Sequence, residues 1–171
     1  MRLALPFGLL LASVTVFATV PARADALSDA FPAPQWQREN SPNGPAFECM
    51  NEACGQPAHV MMMRGPASPA MAARIRSGTL TKEWAEKLAV SFHKQQGDKV
   101  TVLGFDVKKG QSPHWTMDYE CQCEGRTNFV ASRTIANDKV TLTFYSLGRT
   151  AESATENMHK IIEAALGANT R

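Results

Sequence analysis

Residues 115–124 read WTMDYECQCE and carry the strongest alternation of side-chain types in the chain. The odd positions hold large apolar or sulfur-containing side chains, namely Trp115, Met117, Tyr119, Cys121 and Cys123. Polar side chains occupy every position between them. Because successive side chains of a strand point to opposite faces of a sheet, this pattern predicts a strand with one buried face. We therefore expect an antiparallel sheet that contains this strand.

Other strand patterns lie on both sides of this stretch. Apolar residues alternate with polar ones over residues 100–107, and the pair Leu103-Gly104 breaks the phase, which predicts a bulge. Residues 128–135 and 140–147 predict two further strands, joined by a tight turn at Asn137-Asp138. Upstream, residues 59–63 form a short apolar run that is typical of a buried strand. The order of these segments predicts a meander.

Two amphipathic helices complete the pattern. Thr81 is a suitable N-cap for a helix that runs to residue 96, with Gly97 as its terminator. A second helix is predicted over residues 151–166, with Thr150 as its cap and Gly167 at its end. Each helix has one apolar face that needs a sheet to cover it. The predicted fold class is α+β: an antiparallel meander covered by two helices.

This order of elements resembles the PsbP-like group of α/β/α sandwich domains. The resemblance extends from the helix at residues 81–96, through the meander, to VTLTFY at residues 140–145 and the closing helix at residues 151–166. It implies an exported protein, because members of the group occur in exported and chloroplast-lumenal settings. It also implies an accessory or binding role, since bacterial members commonly lack known chemistry. The resemblance implies no functional residue of this chain.

The N-terminus has the pattern of an export signal. Met1-Arg2 is a basic start, residues 3–20 are mostly apolar, and Ala22-Arg23-Ala24 offers a small-x-small cleavage site. We expect a signal peptide over residues 1–24, an extended or disordered arm over residues 25–46, and a single domain over residues 47–171. No later apolar run is long enough to span a bilayer, so we expect a periplasmic or secreted protein without an anchor after cleavage.

The charge of the mature chain is balanced. Two of the 18 basic residues, Arg2 and Arg23, fall in the predicted signal, and none of the 16 acidic residues does, which leaves 16 of each sign. Binding to nucleic acid or to anionic lipid depends on clustered Lys and Arg. The neutral mature chain therefore argues against a nucleic-acid partner.

Four cysteines form two close pairs, Cys49 with Cys54 and Cys121 with Cys123. In an oxidising compartment the expected product is two disulfides. Cys121 and Cys123 share a face of an extended strand, with their Cα atoms roughly 6.5–7 Å apart and their Cβ vectors nearly parallel, which disfavours a bond between them. We therefore expect crossed bridges, each joining residues 49–54 to residues 121–123, in either order.

Metal binding is an alternative interpretation of the same cysteines. Thiolate, imidazole and thioether groups suit Cu(I). A copper site would use Cys121 and Cys123 with His59, His114 and the methionines of residues 61–63, although these three methionines cannot all face one way on a strand. A redox-active dithiol is a further alternative, but the C-x-x-C spacing of thioredoxins is absent.

No catalytic motif appears in the sequence. G-x-S-x-G, H-E-x-x-H and a glycine-rich phosphate loop are all missing. His93 and His159 stand beside lysines and are interpreted as solvated residues on helix faces. We predict a non-catalytic binding or accessory protein of the cell envelope without a cofactor, whose partner is another envelope protein or a small ligand. His114 and Trp115 are the candidate contact residues, and a copper-handling protein is the alternative.

Overall fold

A computed structural model of the chain describes residues 21–49, 51–54, 58–93, 98–110, 113–123, 125–137 and 139–167. Within these ranges the chain forms four α-helices, seven strands and a short 3-10 helix at Glu52–Cys54. The helices are α1 (Pro21–Ala30), α2 (Pro69–Ser77), α3 (Lys82–Phe92) and α4 (Ala151–Leu166). The strands are β1 (Trp36–Ser41), β2 (Gly44–Cys49), β3 (His59–Gly65), β4 (Lys99–Lys108), β5 (His114–Cys123), β6 (Arg126–Ala136) and β7 (Thr141–Gly148).

All seven strands form one antiparallel sheet in the order β1-β2-β3-β7-β6-β5-β4. The last four strands form the predicted meander, and β3 joins it by pairing with β7. The register of β4 against β5 shifts between Val102 and Gly104, which confirms the predicted bulge. The predicted α+β fold class is confirmed.

Helices cover both faces of the sheet, and two cores result. The first core lies between the sheet and α1 and α4, where Met158, Ile161 and Ile162 are buried against Phe144. The second core lies between the sheet and α2 and α3, and β5 contributes its apolar face to it, as the alternation predicted: Trp115, Met117, Tyr119 and Cys121 are all buried. The result is an α/β/α sandwich.

The N-terminal segment is more ordered than the sequence suggested. Residues 25–46, expected as an extended or disordered arm, contain the end of α1, all of β1 and the start of β2. Leu27, Phe31 and Trp36 are buried in the first core, and Phe31 packs on Phe47 with ring centroids 5.1 Å apart. The segment is polar because β1 is an edge strand, yet its few apolar residues face the core. The predicted signal residues 1–20 lie outside the described residues.

The predicted caps and ends of α3 and α4 largely agree with the structure. Thr81 caps α3, because its side chain accepts a hydrogen bond from the Trp84 backbone N–H. The helix ends at Phe92 with His93 as its C-cap, earlier than predicted, and residues 94–97 lie outside the described residues. Thr150 caps α4, and the bounds of α4 agree with the prediction.

Candidate functional site

A cavity of about 360 Å³ lies on the α3 side of the sheet. It extends from the end of α3 across β5, β6, β7 and β3. Side chains from five elements line it because alternate residues of neighbouring strands share one face. The lining residues are Met61, Met63, Leu88, Phe92, His93, Trp115, Met117, Tyr119, Ser132, Thr134, Thr143 and Tyr145.

The lining is mainly apolar, with a few polar groups at separate points. The hydroxyl groups of Thr134 and Thr143 lie 3.0 Å apart, and Ser132 donates to the Met117 carbonyl oxygen at 3.0 Å. The indole Nε1 of Trp115 is buried and has no hydrogen-bond partner among the described residues. A buried donor without a partner is unusual in a native protein. The mainly apolar lining suits a mainly apolar molecule.

The C-terminal end of α3 borders the cavity on the solvent side. Phe92, which lines the cavity, leaves 62% of its surface exposed, and Val90 leaves 56% exposed. Phe92 therefore belongs both to the cavity lining and to the protein surface.

A cluster of His93, Cys121 and Cys123 adjoins the cavity. The imidazole Nδ1 of His93 lies 3.4 Å from Cys121 Sγ and 3.3 Å from Cys123 Sγ. The two sulfurs share one face of β5 because of its alternation, and the end of α3 brings His93 over them. The imidazole nitrogen and the two sulfurs lie within 4.8 Å of one another. Among the described residues, no acidic side chain joins this group.

Two tyrosines continue the cluster into the cavity. His93 Nε2 lies 3.2 Å from the Tyr119 hydroxyl group, which in turn bonds to Tyr145. Burial raises the pKa of Tyr119 above its ordinary value, and the adjacent Tyr145 raises it further. Burial also raises the pKa of Tyr145, while its hydrogen bond with Tyr119 opposes that shift. Both phenols are therefore neutral hydrogen-bonding groups at pH 7.

The prediction of crossed disulfides is wrong. Cys49 bonds to Cys54 and Cys121 to Cys123, with Cα atoms 6.1 Å and 5.4 Å apart. Three strands separate β2 from β5, a distance of roughly 19 Å across the sheet. Cys49 also packs in the first core and Cys121 in the second. Local pairing of Cys121 and Cys123 is possible because their Cα separation is shorter than the roughly 6.6 Å of a fully extended strand.

The histidines predicted for the alternative copper site do not meet the cysteines. His114 begins β5, seven residues before Cys121, a distance of roughly 23 Å along the strand. His59 lies on β3, where its Nε2 is 3.5 Å from the Glu39 carboxylate. The histidine that does meet the cysteines is His93, which we had interpreted as a solvated surface residue. No spacing in the sequence relates His93 to Cys121, since 28 residues separate them.

The methionines and the predicted contact residues also have definite positions. Met61 and Met63 face the cavity, whereas Met62 packs against the first core, as strand alternation requires. Trp115 is only 5% exposed, which makes it a cavity-lining residue and not part of an exposed contact surface. His114 is half-buried at the edge of that region.

None of the described helices is both long enough and apolar enough to span a membrane.

Comparisons with known proteins bear on the fold. No family model matches the chain. No curated protein matches it. The solution structure of cyanobacterial PsbP (CyanoP) from Synechocystis sp. PCC 6803 superposes with a TM-score of 0.53 at 7% identity, covering 77% of this chain and 81% of that one.

Two other solved structures give lower scores. One is LpqN, involved in cell envelope biogenesis of Mycobacterium tuberculosis, with a TM-score of 0.46 at 11% identity, covering 76% of this chain and 74% of that one. The other is a protein of unknown function from Pseudomonas aeruginosa, with a TM-score of 0.46 at 11% identity, covering 80% and 97%. The likeness to CyanoP supports the fold. The chain has a PsbP-like fold, as the order of its elements predicted, and at this identity the likeness concerns the fold alone.

Proposed function

We propose that this chain is an exported, non-catalytic binding protein of the cell envelope that holds a small, mainly apolar ligand between α3 and the sheet. The cavity of about 360 Å³ carries the proposal. Pockets for small molecules are typically about 300–1,000 Å³ in volume and have apolar walls with a few placed polar groups. This cavity has both properties.

The polar groups of the cavity indicate which hydrogen-bonding and charged groups the ligand carries. The hydroxyl groups of Thr134 and Thr143 satisfy one another and leave further acceptor capacity. No aspartate, glutamate, lysine or arginine is among the lining residues, so the ligand is uncharged or carries its charge at the edge of the cavity. An apolar body with one carbonyl or hydroxyl group fits these features.

Two features support export to the periplasm or beyond the cell. Residues 1–24 have the order of a cleavable signal: basic start, apolar centre, small-residue cut. The two disulfides suit an oxidising compartment. Identification of Asp25 as the first residue of the exported protein by mass spectrometry tests this part of the proposal, and retention of Met1 in that protein contradicts it.

The binding proposal is tested by filling the cavity. We expect an anilinonaphthalene sulfonate dye to bind the folded mature protein with about 1:1 stoichiometry and a blue-shifted emission. Met63→Trp places a larger ring inside the cavity, whereas Arg64→Trp adds the same ring to the exposed next residue of β3. Met63→Trp should abolish dye binding and Arg64→Trp should retain it. Native mass spectrometry of the gently purified wild-type protein should also show a co-purified small molecule.

Two outcomes contradict the proposal. One is equal dye binding by both tryptophan variants, which places the dye elsewhere on the surface. The other is dye binding only under conditions where the near-ultraviolet circular dichroism has collapsed, which indicates a loosened protein and not a preformed cavity. Mass spectrometry that shows a second polypeptide on the wild-type protein and no small molecule favours a protein partner instead.

A further inference from the structure

We infer that Cys121, Cys123 and His93 form a site for Cu(I) that is closed while the two cysteines are bonded and open when they are reduced. This inference goes beyond the apolar cavity. It does not depend on the ligand proposed above, since its three donor atoms belong to the cluster at the end of β5.

The positions of the donor atoms support the site. Nδ1 of His93 is nearly equidistant from the two sulfurs, at 3.4 Å and 3.3 Å. Metal–sulfur bonds of about 2.3 Å and metal–nitrogen bonds of about 2.0 Å give similar or slightly larger separations between ligands around one ion. A modest separation of the sulfurs after reduction therefore makes room for a metal among the three atoms.

The orientation of His93 also supports the site. Nε2 of His93 lies 3.2 Å from the Tyr119 hydroxyl oxygen, which can accept a hydrogen bond from an N–H at Nε2. This tautomer leaves the lone pair of Nδ1 directed at the sulfurs. A histidine that binds a metal almost always donates its other N–H in this way.

The chemistry of the donors favours Cu(I) over other ions. Thiolates and imidazole are ligands for soft ions, and no carboxylate in the described residues joins the group. A structural zinc site needs four protein ligands, whereas the described residues bring three together here. Met61, Met63 and Met117 line the adjoining cavity and make its wall apolar and polarisable.

The site opens when the Cys121–Cys123 disulfide is reduced. This reduction is a two-electron thiol–disulfide exchange with a dithiol of the thioredoxin class. Its first thiolate attacks Sγ of Cys123, the more exposed sulfur, and Cys121 leaves as a thiolate. The second thiol of the reductant then attacks the mixed disulfide, so Cys123 is released and the reductant becomes a disulfide. Cu(I) next replaces the thiol protons of Cys121 and Cys123 and takes Nδ1 of His93 as third ligand. The copper keeps its oxidation state.

The first test needs no mutation. The mature protein is titrated anaerobically with Cu(I) against a chromogenic Cu(I) chelator, once oxidised and once after dithiol reduction and removal of the reductant. We expect one Cu(I) per reduced chain, a thiolate-to-copper charge-transfer band in the near ultraviolet, and no competition by the oxidised protein. Equal binding by both forms overturns the inference, and so does the absence of binding by the reduced form.

Matched variants then assign the ligands. Cys121→Ser/Cys123→Ser should weaken Cu(I) binding at least about a hundredfold, and Cys49→Ser/Cys54→Ser should leave it unchanged in the reduced protein. His93→Gln removes the nitrogen ligand, while His59→Gln and His114→Gln are its controls. Tyr119→Phe removes the partner that positions His93 and should weaken binding about tenfold or more without changing the stoichiometry.

Several results contradict the assignment. Loss of copper binding in Cys49→Ser/Cys54→Ser with retention in Cys121→Ser/Cys123→Ser places the metal at the other pair. Unchanged affinity in His93→Gln removes the histidine from the site. Tighter binding of Zn²⁺ than of Cu(I) contradicts the assignment of Cu(I) as the metal. Met63→Trp should leave Cu(I) binding intact while it blocks the dye, so failure of the metal site and failure of the apolar cavity are distinguishable.

Discussion

Gly44 allows the N-terminal hairpin to lie against β3. Its φ is +143°, a backbone conformation that L side chains rarely adopt, and a Cβ there would clash with the Met62 carbonyl oxygen. Gly44→Ala should therefore lower the free energy of unfolding by about 1–3 kcal/mol. Gly110→Ala is the control, because a Cβ at Gly110 meets nothing within 4 Å. Urea unfolding measures both, and equal midpoints for the two variants contradict the prediction.

Asp118 makes folding stability depend on pH. Burial raises the pKa of this carboxyl group, although His159 and Arg133 oppose part of the shift. The folded state therefore holds a proton that the unfolded state releases, so stability falls as the pH rises above about 4, the ordinary pKa of an aspartate. Asp118→Asn should be more stable than wild type at pH 7, and this difference should shrink towards pH 4. The midpoints of urea unfolding of both proteins, measured at pH 7 and at pH 4, test this prediction. A larger stability difference between Asp118→Asn and wild type at pH 4 than at pH 7 contradicts the predicted direction of the pH dependence.

At the scale of elements, α4 depends on its N-terminal cap. The Thr150 hydroxyl accepts from the Ser153 backbone N–H at 3.1 Å, and Ser153 Oγ accepts from the Thr150 N–H at 3.3 Å. Thr150→Ala removes the first bond and should cost about 1 kcal/mol, because helix N–H groups lose their partner. Thr150→Ser keeps the hydroxyl group and should stay close to wild type. Thermal unfolding compares them, and equal losses in both variants argue against the cap.

The two disulfides each stabilise one short loop. The Cys49–Cys54 bond joins residues five positions apart in the sequence, and the Cys121–Cys123 bond joins residues two positions apart. The chain-entropy model gives about 2 kcal/mol for Cys49–Cys54 and about 1.5 kcal/mol for Cys121–Cys123, against about 4 kcal/mol for a loop of roughly 70 residues. Cys49→Ser/Cys54→Ser should therefore lower the free energy of unfolding by about 2 kcal/mol and leave the protein folded. A loss near 4 kcal/mol in urea unfolding indicates a long-range constraint instead.

At the scale of the whole molecule, the N-terminal segment is part of the fold. Leu27, Phe31 and Trp36 are buried in the first core, and β1 and β2 cover the edge of β3. Burial of each large side chain contributes about 1.5–3 kcal/mol, so their sum is comparable with the total stability of a typical domain. Deletion of residues 25–46 should therefore abolish cooperative unfolding or cause aggregation. A truncated protein that melts at the wild-type temperature identifies the segment as a dispensable arm.

The amino-acid sequence by itself determined the elements whose signals are local. Alternation identified the buried face of β5, a break in the alternation of β4 located the bulge at Gly104, and Thr150 with Gly167 delimited α4. These features depend on neighbouring residues, because strand and helix periodicity repeats within a few positions. The hairpin of β1 and β2 was missed since the polar face of an edge strand resembles an unstructured segment in composition.

Only the tertiary structure decided the site. Sheet order placed three strands between Cys49 and Cys121, which excluded the crossed disulfides that local strand geometry had favoured. The packing of α3 on the sheet brought His93 to Cys121 and Cys123 and left His59 and His114 far away. Pairing order and helix docking depend on contacts between residues distant in sequence. They carry no periodic signal, so neither the cavity nor the contact of His93 with the two cysteines follows from the sequence alone.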